Sequence, residues 1–210
     1  MAVVIPVLLI MVAYRVWVLT GPRRAQPIAG PLTALLLLLL SGSPPAEVGL
    51  TLTGGAYAVS AVASVAAGYG LAWLIPAGRR ALATGRRYPR PVLAALVGVP
   101  LSTVIFEEVA FRGVLWTVLA DAHGPGWATA ITALLFGIWH FSPEAGFRRS
   151  LGPVAFTTVA GVLLALLRHL SGGLLAPVLL HWTANGLGIL ATAAITRPGR
   201  DASGERRNGR

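Results

Sequence analysis

The chain contains no cysteine and no lysine, and only 11% of its residues are charged. Without cysteine there are no disulfides, thiolate nucleophiles or Cys-ligated metal sites. Without lysine all 17 basic residues are arginine, a bias that selects no chemistry by itself. A soluble domain carries roughly 25% charged residues. The scarcity of charge, with 55% hydrophobic residues and a mean hydropathy of +0.73, therefore indicates a chain that lives in a lipid bilayer.

Other features are missing as well. No basic face is interleaved with aromatics as a nucleic-acid groove requires. The net charge of +10 is instead spread as short arginine clusters between apolar segments, the pattern of topology signals, so no nucleic-acid partner is expected. There is no internal repeat of the kind common in transporters, no H-E-x-x-H pair and no G-x-S-x-G elbow. Neither "GPVAFTT" nor "LLSGSPP" sets a base beside its hydroxyl, which argues against serine chemistry. The first apolar segment, 2–20, lacks a basic start and a small-residue cleavage site, and reads as a retained helix.

What is present is a series of apolar runs separated by Arg, Gly and Pro, at about 2–20, 28–41, 48–76, 91–121, 127–142, 151–170 and 174–196. They predict an all-α fold, a polytopic transmembrane helical bundle of about seven (six to eight) helices. The second run is short for a span of ~20 residues. Three regions follow: N-terminal helices with a basic connector over 1–90, a helical core over 91–196, and a polar tail over 197–210 read as disordered and cytoplasmic. The connector, "GRRALATGRRYPR" at 78–90, carries five arginines and reads as an amphipathic surface segment or a plain charged loop. With seven crossings the arginine-rich loops and the C-terminus share one side, and Arg168 is the only basic residue near the other. The positive-inside rule assigns the arginine-rich side to the cytoplasm, here of a bacterial plasma membrane.

Against this background the segment "FEEVAFRGVLW" at 106–116 stands out, because it puts two glutamates and an arginine into an apolar run. An ionisable group near the bilayer centre costs at least about 2.5–3.5 kcal/mol on insertion scales. Glu108 and Arg112 lie four apart and stack on one helical face, so they can neutralise each other. That pair reads equally as a structural ion pair or as part of a catalytic site. Glu107 points about 100° aside and has no partner in its own segment.

Two further segments repeat the pattern. In "FGIWH" His140 follows Phe136 by four, and in "HWTAN" Asn185 follows His181 by four. Counted outward from the loop at His123 and Gly124, Glu107 and His140 lie at matching depth, roughly 25 Å along each helix, and His181 somewhat shallower, near 14 Å, from its own loop. Polar groups gathered within a bundle mark a functional position. A glutamate and a histidine can hold and deprotonate a water that attacks a carbonyl, with His181 and Asn185 as donors to the oxyanion. The same Glu107, His140 and His181 are also a donor set for zinc or another divalent metal, leaving a fourth position for water.

The three motifs together, "EEVAFR" at Glu107–Arg112, "FGIWH" at Phe136–His140 and "HWTAN" at His181–Asn185, resemble the signatures EExxxR, FxxxH and HxxxN of the CPBP family. These are the CAAX-prenyl-protease and bacteriocin-processing intramembrane proteases, also called the Abi family. The resemblance covers about 91–196 and implies an all-helical membrane endopeptidase with its chamber among the last four helices. It implies that Glu107 and His140 activate water, that His181 and Asn185 form the oxyanion site, and that Glu108 and Arg112 hold the first motif in shape. A metal-free mechanism is preferred to the metalloprotease alternative, because Asn185 is a better oxyanion donor than ligand. The implied partners are the lipid bilayer and a membrane-associated peptide or protein substrate. Eukaryotic members cleave after a prenylated cysteine, whereas bacterial relatives are linked to peptide maturation, bacteriocin immunity or regulation of membrane proteins. A non-catalytic immunity or peptide-binding protein, and a small transporter or proton channel, are the competing readings.

Overall fold

In a bilayer, a helix is the open-chain element that satisfies every backbone N–H and C=O internally. Runs such as the leucines at 35–40 offer no polar side chain to compete with those bonds. The computed structural model describes residues 3–196, and the reading of 197–210 as a disordered tail lies outside these described residues. Within them the chain forms eight helices and no strand: α1 (Val4–Thr20), α2 (Gln26–Ser41), α3 (Gly55–Leu74), α4 (Pro76–Ala83), α5 (Pro91–His123), α6 (Pro125–Trp139), α7 (Phe147–Ser171) and α8 (Leu175–Ile195). Pro76, Pro91 and Pro125 each open a helix, where the missing N–H costs nothing.

The helices α3, α5, α7 and α8, and α2 together with the 3₁₀ turn Arg23–Ala25 that leads into it, are long and apolar enough to cross a membrane, and α1 and α6 are shorter apolar helices. The seven apolar runs thus correspond to seven helices, and α4 forms the first half of the basic connector. The bundle is inverted relative to a soluble core. Leu32, Leu39, Val59, Phe156 and Val159 turn more than half of their surface outward, while Glu107, Glu108, Arg112 and Arg168 are buried. The chain is an integral membrane protein.

The loops sort into two ends. At one, Thr192 near the end of α8 donates to Leu82 O of α4 (2.9 Å). At the other, Thr117 of α5 donates to Glu47 O in the loop between α2 and α3 (3.1 Å). This second loop is longer than the apolar pattern implies, because α3 begins at Gly55 and not near 48. A turn closed by Leu50 N–H to Pro45 O (2.8 Å) occupies the difference, and Gly49 and Gly54 there take φ of +83° and +80°.

Arg168, read from the sequence as a charge near a loop, is buried in the structure. Its Nη2 donates to Glu47 O (2.6 Å), its Nε donates to Arg112 O (3.2 Å), and its guanidinium lies 5.1 Å from the Trp116 ring centroid. One side chain therefore ties the loop, α5 and α7 together. A Cβ on Gly49 would come within 2.7 Å of Arg168 Nε and would also be held in the left-handed region. Gly49→Ala is expected to destabilise the protein by about 1–3 kcal/mol, read as a lowered thermal midpoint in detergent. Gly42→Ala has a similar φ of +63° but nothing within 4 Å of its added Cβ, so it isolates the backbone part of the effect.

Small residues let α6 and α7 approach closely, the packing that serves where lipid removes the hydrophobic drive between helices. A Cβ on Gly161 would meet Ala133 Cα at 3.0 Å. The long helix α5 is not uniformly α-helical: Ala94–Gly98, Pro100–Val104 and Glu108–Leu115 form wide i→i+5 turns. Pro100 has no N–H for an ordinary α-turn, which favours such a local expansion. The third wide stretch carries Glu108 and Arg112 and lies against Arg168, which takes up the carbonyl of Arg112.

Candidate active site

The site lies where α5, α6 and α8 meet. Glu108 and Arg112 have no solvent exposure and are joined at 3.4 Å through Arg112 Nη1 and Glu108 Oε1. Arg112 Nη2 also donates to Gly161 O of α7 (3.4 Å), and the guanidinium lies 4.0 Å from the Phe136 ring centroid. The Glu108 carboxylate makes a second, shorter contact, 2.7 Å from Oε1 to His181 Nδ1. A carboxylate only accepts, so Nδ1 donates and Nε2 is directed elsewhere.

Nε2 of His181 faces the other glutamate, 3.8 Å from Glu107 Oε2. The roughly 100° between neighbouring residues on an α-helix therefore does not keep the two carboxylates apart, because the imidazole sits between them. His181 is consequently level with the glutamates and not shallower. The second Glu107 oxygen, Oε1, accepts from Trp139 Nε1 (3.0 Å). Among the described residues no donor is hydrogen-bonded to Glu107 Oε2.

His140 stands just past the end of α6. Its Nδ1 lies 2.8 Å from Phe136 O, an acceptor, so Nδ1 donates and Nε2 is the free nitrogen. Phe136 explains the F-x-x-x-H spacing: its ring is 4.7 Å from the His140 ring and 6.0 Å from the His181 ring, with Arg112 against its face. Both histidines and the arginine thus lean on one buried aromatic. No hydrogen bond joins Glu107 to His140 among the described residues; the glutamate's contacts are Trp139 and His181.

Asn185, one turn beyond His181, lines a cavity of about 410 Å³ with Tyr69, Arg86, Tyr88 and Thr103. This cavity reaches the arginine-rich connector and ends one turn short of Glu107 on α5 and of His181 on α8. Glu107, His140 and His181 are the donor types zinc takes, but among the described residues no three His, Cys, Asp or Glu side chains converge as a metal-ligand group. The Nδ1 atoms of both histidines are engaged by protein acceptors, which leaves each Nε2 as the nitrogen open to a water or a metal.

Trp139 is a site residue that the motif spacing does not reveal. Read for its position it is a packing or anchoring residue, yet its indole N–H is the donor that orients Glu107. The available signal is its place immediately before His140 in a segment otherwise poor in donors. Glu144, four residues after His140, is exposed in a short 3₁₀ turn at Pro143–Ala145 and takes no part. His169 packs against Trp116, with ring centroids 5.8 Å apart.

No curated protein and no solved structure matches the chain. A family model described as "Type II CAAX prenyl endopeptidase Rce1-like" matches residues 89–187, a segment that opens just before α5 and includes all three motifs. Over residues 89–187 the chain is therefore similar to the Rce1-like type II CAAX prenyl endopeptidases.

Proposed function

We propose that the protein is an intramembrane endopeptidase that hydrolyses a peptide bond in a membrane-associated peptide or protein, with Glu107 as the base that activates water. The observation that carries this reading is Glu107 Oε2, a buried carboxylate oxygen facing His181 Nε2 at 3.8 Å while its partner oxygen is held by Trp139. A water bound there would give its proton to Glu107 as it attacks the carbonyl carbon. The developing oxyanion would be met by His181 and Asn185, and the proton would pass on to the leaving amine. To donate to the oxyanion while its Nδ1 donates to Glu108, His181 has to carry a hydrogen on each ring nitrogen. Such a His181 would hold one N–H on Glu108 and present the other to the oxyanion. His140 Nε2 would share the water with Glu107, and Glu108 with Arg112 would hold His181 in orientation. The cavity lined by Asn185 reaches Arg86 and Tyr88 at the arginine-rich end, which makes it the candidate route for the substrate. The positive-inside rule puts that end, and with it the C-terminus, on the cytoplasmic side.

The test is cleavage of a panel of fluorogenic membrane-anchored peptides, prenylated and unprenylated, by the purified protein in liposomes. Cleavage by the wild type that persists after chelator treatment is the expected result. Cleavage abolished by the chelator and restored by Zn²⁺ would overturn the metal-free mechanism. No cleavage of any member would count against the peptidase reading as a whole.

A further inference from the structure

We infer that Arg15, on α1 and outside the family-matched segment, is a positioning residue of the site: it holds the chain as it leaves α6, on both sides of His140, and thereby fixes His140 and Trp139. The inference rests on the peptidase reading for its kinetic consequence, but its geometry stands apart from it.

The end of α6 leaves its last carbonyls without helical partners. Phe136 O accepts from His140 Nδ1 (2.8 Å), Gly137 O from the His140 backbone N–H (3.0 Å) and Ile138 O from Phe141 N–H (2.9 Å). Just beyond the helix end, on the far side of His140, Phe141 O is met by Arg15 Nη2 (3.2 Å), from 126 residues away in the chain. The same guanidinium lies 5.3 Å from the Trp139 ring centroid. Arg15 therefore engages the residues on both sides of His140. A cation at a helix C-terminus is favourable, and a cation over an indole face adds to that where water is scarce.

A second contact from α1 runs the same way. Tyr14 packs on Phe106 at 4.1 Å between ring centroids, and Phe106 stacks on Trp139 at 5.5 Å. The residue after Phe106 is Glu107, and the residue after Trp139 is His140. Neighbouring residues of α1 thus brace both halves of the water-activating pair, with the Trp139 indole bonded to Glu107 Oε1 between them. A topology arginine would need none of these contacts, and Arg23 and Arg24, exposed in the 3₁₀ turn between α1 and α2, make no side-chain hydrogen bond among those described.

Misplacing a catalytic group by ~1 Å can cost about 100-fold in rate. Arg15→Met is accordingly expected to lower kcat about 10- to 100-fold with KM changed less than about twofold. Trp139→Phe should show a comparable loss, and the double variant should be little worse than the weaker single one, because the two residues act as one unit. The direct readout is ¹⁹F NMR of protein labelled with 5-fluorotryptophan, which gives resonances for the six tryptophans, that of Trp139 being assigned by Trp139→Phe. The Trp139 resonance should move in Arg15→Met and in Glu107→Gln and stay in place in Arg24→Met. If Arg15→Met does not fold, Arg15→Lys serves instead, since it keeps the charge but loses the planar stack. An unmoved Trp139 resonance in the Arg15 variant overturns the inference whether or not the protein cleaves peptides. Fully additive kinetic losses for Arg15→Met and Trp139→Phe would also overturn it. A wild type that cleaves nothing counts against the peptidase reading alone and leaves the resonance shifts to decide the positioning role.

Discussion

Glu107→Gln is expected to lower peptide turnover by on the order of 10³-fold while leaving the fold and peptide affinity intact. The amide keeps the size of the side chain and an oxygen for the Trp139 N–H, so the hydrogen bond at 3.0 Å can persist. What it loses is the oxygen able to take a proton beside His181 Nε2. The check is kcat for the variant in liposomes, together with a binding isotherm for the uncleaved peptide and a thermal melt. Retention of more than about a tenth of wild-type turnover would remove Glu107 from the role of base. The same variant separates the competing classes. A non-catalytic peptide-binding protein shows no turnover in either form and equal affinity in both, whereas a proton channel loses flux across the liposome membrane.

Arg112→Leu is expected to have the largest effect on stability. Breaking a buried ion pair by removing one partner costs about 3–5 kcal/mol, because the remaining charge is left uncompensated. For a chain of this size that corresponds to a fall on the order of 10 °C in thermal midpoint. The loss should be larger than that of a surface arginine such as Arg24→Leu, which touches nothing in the site. Arg112→Lys should rescue little, since the planar guanidinium reaches Glu108 Oε1 and Gly161 O together and lies against Phe136. The double variant Glu108→Gln with Arg112→Leu should be less destabilised than the sum of its parts, for no charge is then stranded. A midpoint for Arg112→Leu within a degree or two of wild type would show that the pair is not holding the motif.

The architecture was legible because bilayer helices announce themselves by unbroken apolar runs, and all seven runs correspond to helices. The polar motifs were legible for the converse reason, since each charge in such a run has to be compensated. Directions around the helix axis were harder to read. The divergence of Glu107 from Glu108 was read from one helix alone, whereas the two carboxylates meet through His181 of α8, 73 residues on from Glu108. The burial of Arg168 was invisible for a similar reason: its acceptors, Glu47 O and Arg112 O, come from segments distant in sequence. The role of Trp139 depends on one indole N–H pointing inward, which spacing does not encode. The start of α3 was misplaced because an apolar turn with two left-handed glycines has the same composition as a helix.

The shortness of α6 carries a consequence for the membrane itself. Its 15 residues, Pro125–Trp139, rise only about 22 Å, against a hydrocarbon core of about 30 Å. Thinning beside the short element is one way a bilayer meets such a deficit. It would draw the lipid headgroups on the His140 side toward the point where α6 stops. A peptide bond lying at headgroup level would then be carried down toward Glu107 and His181, together with bulk water. On this view hydrolysis inside a membrane does not require the substrate to enter the full depth of the oil, because the surface of the oil has been lowered to the catalyst.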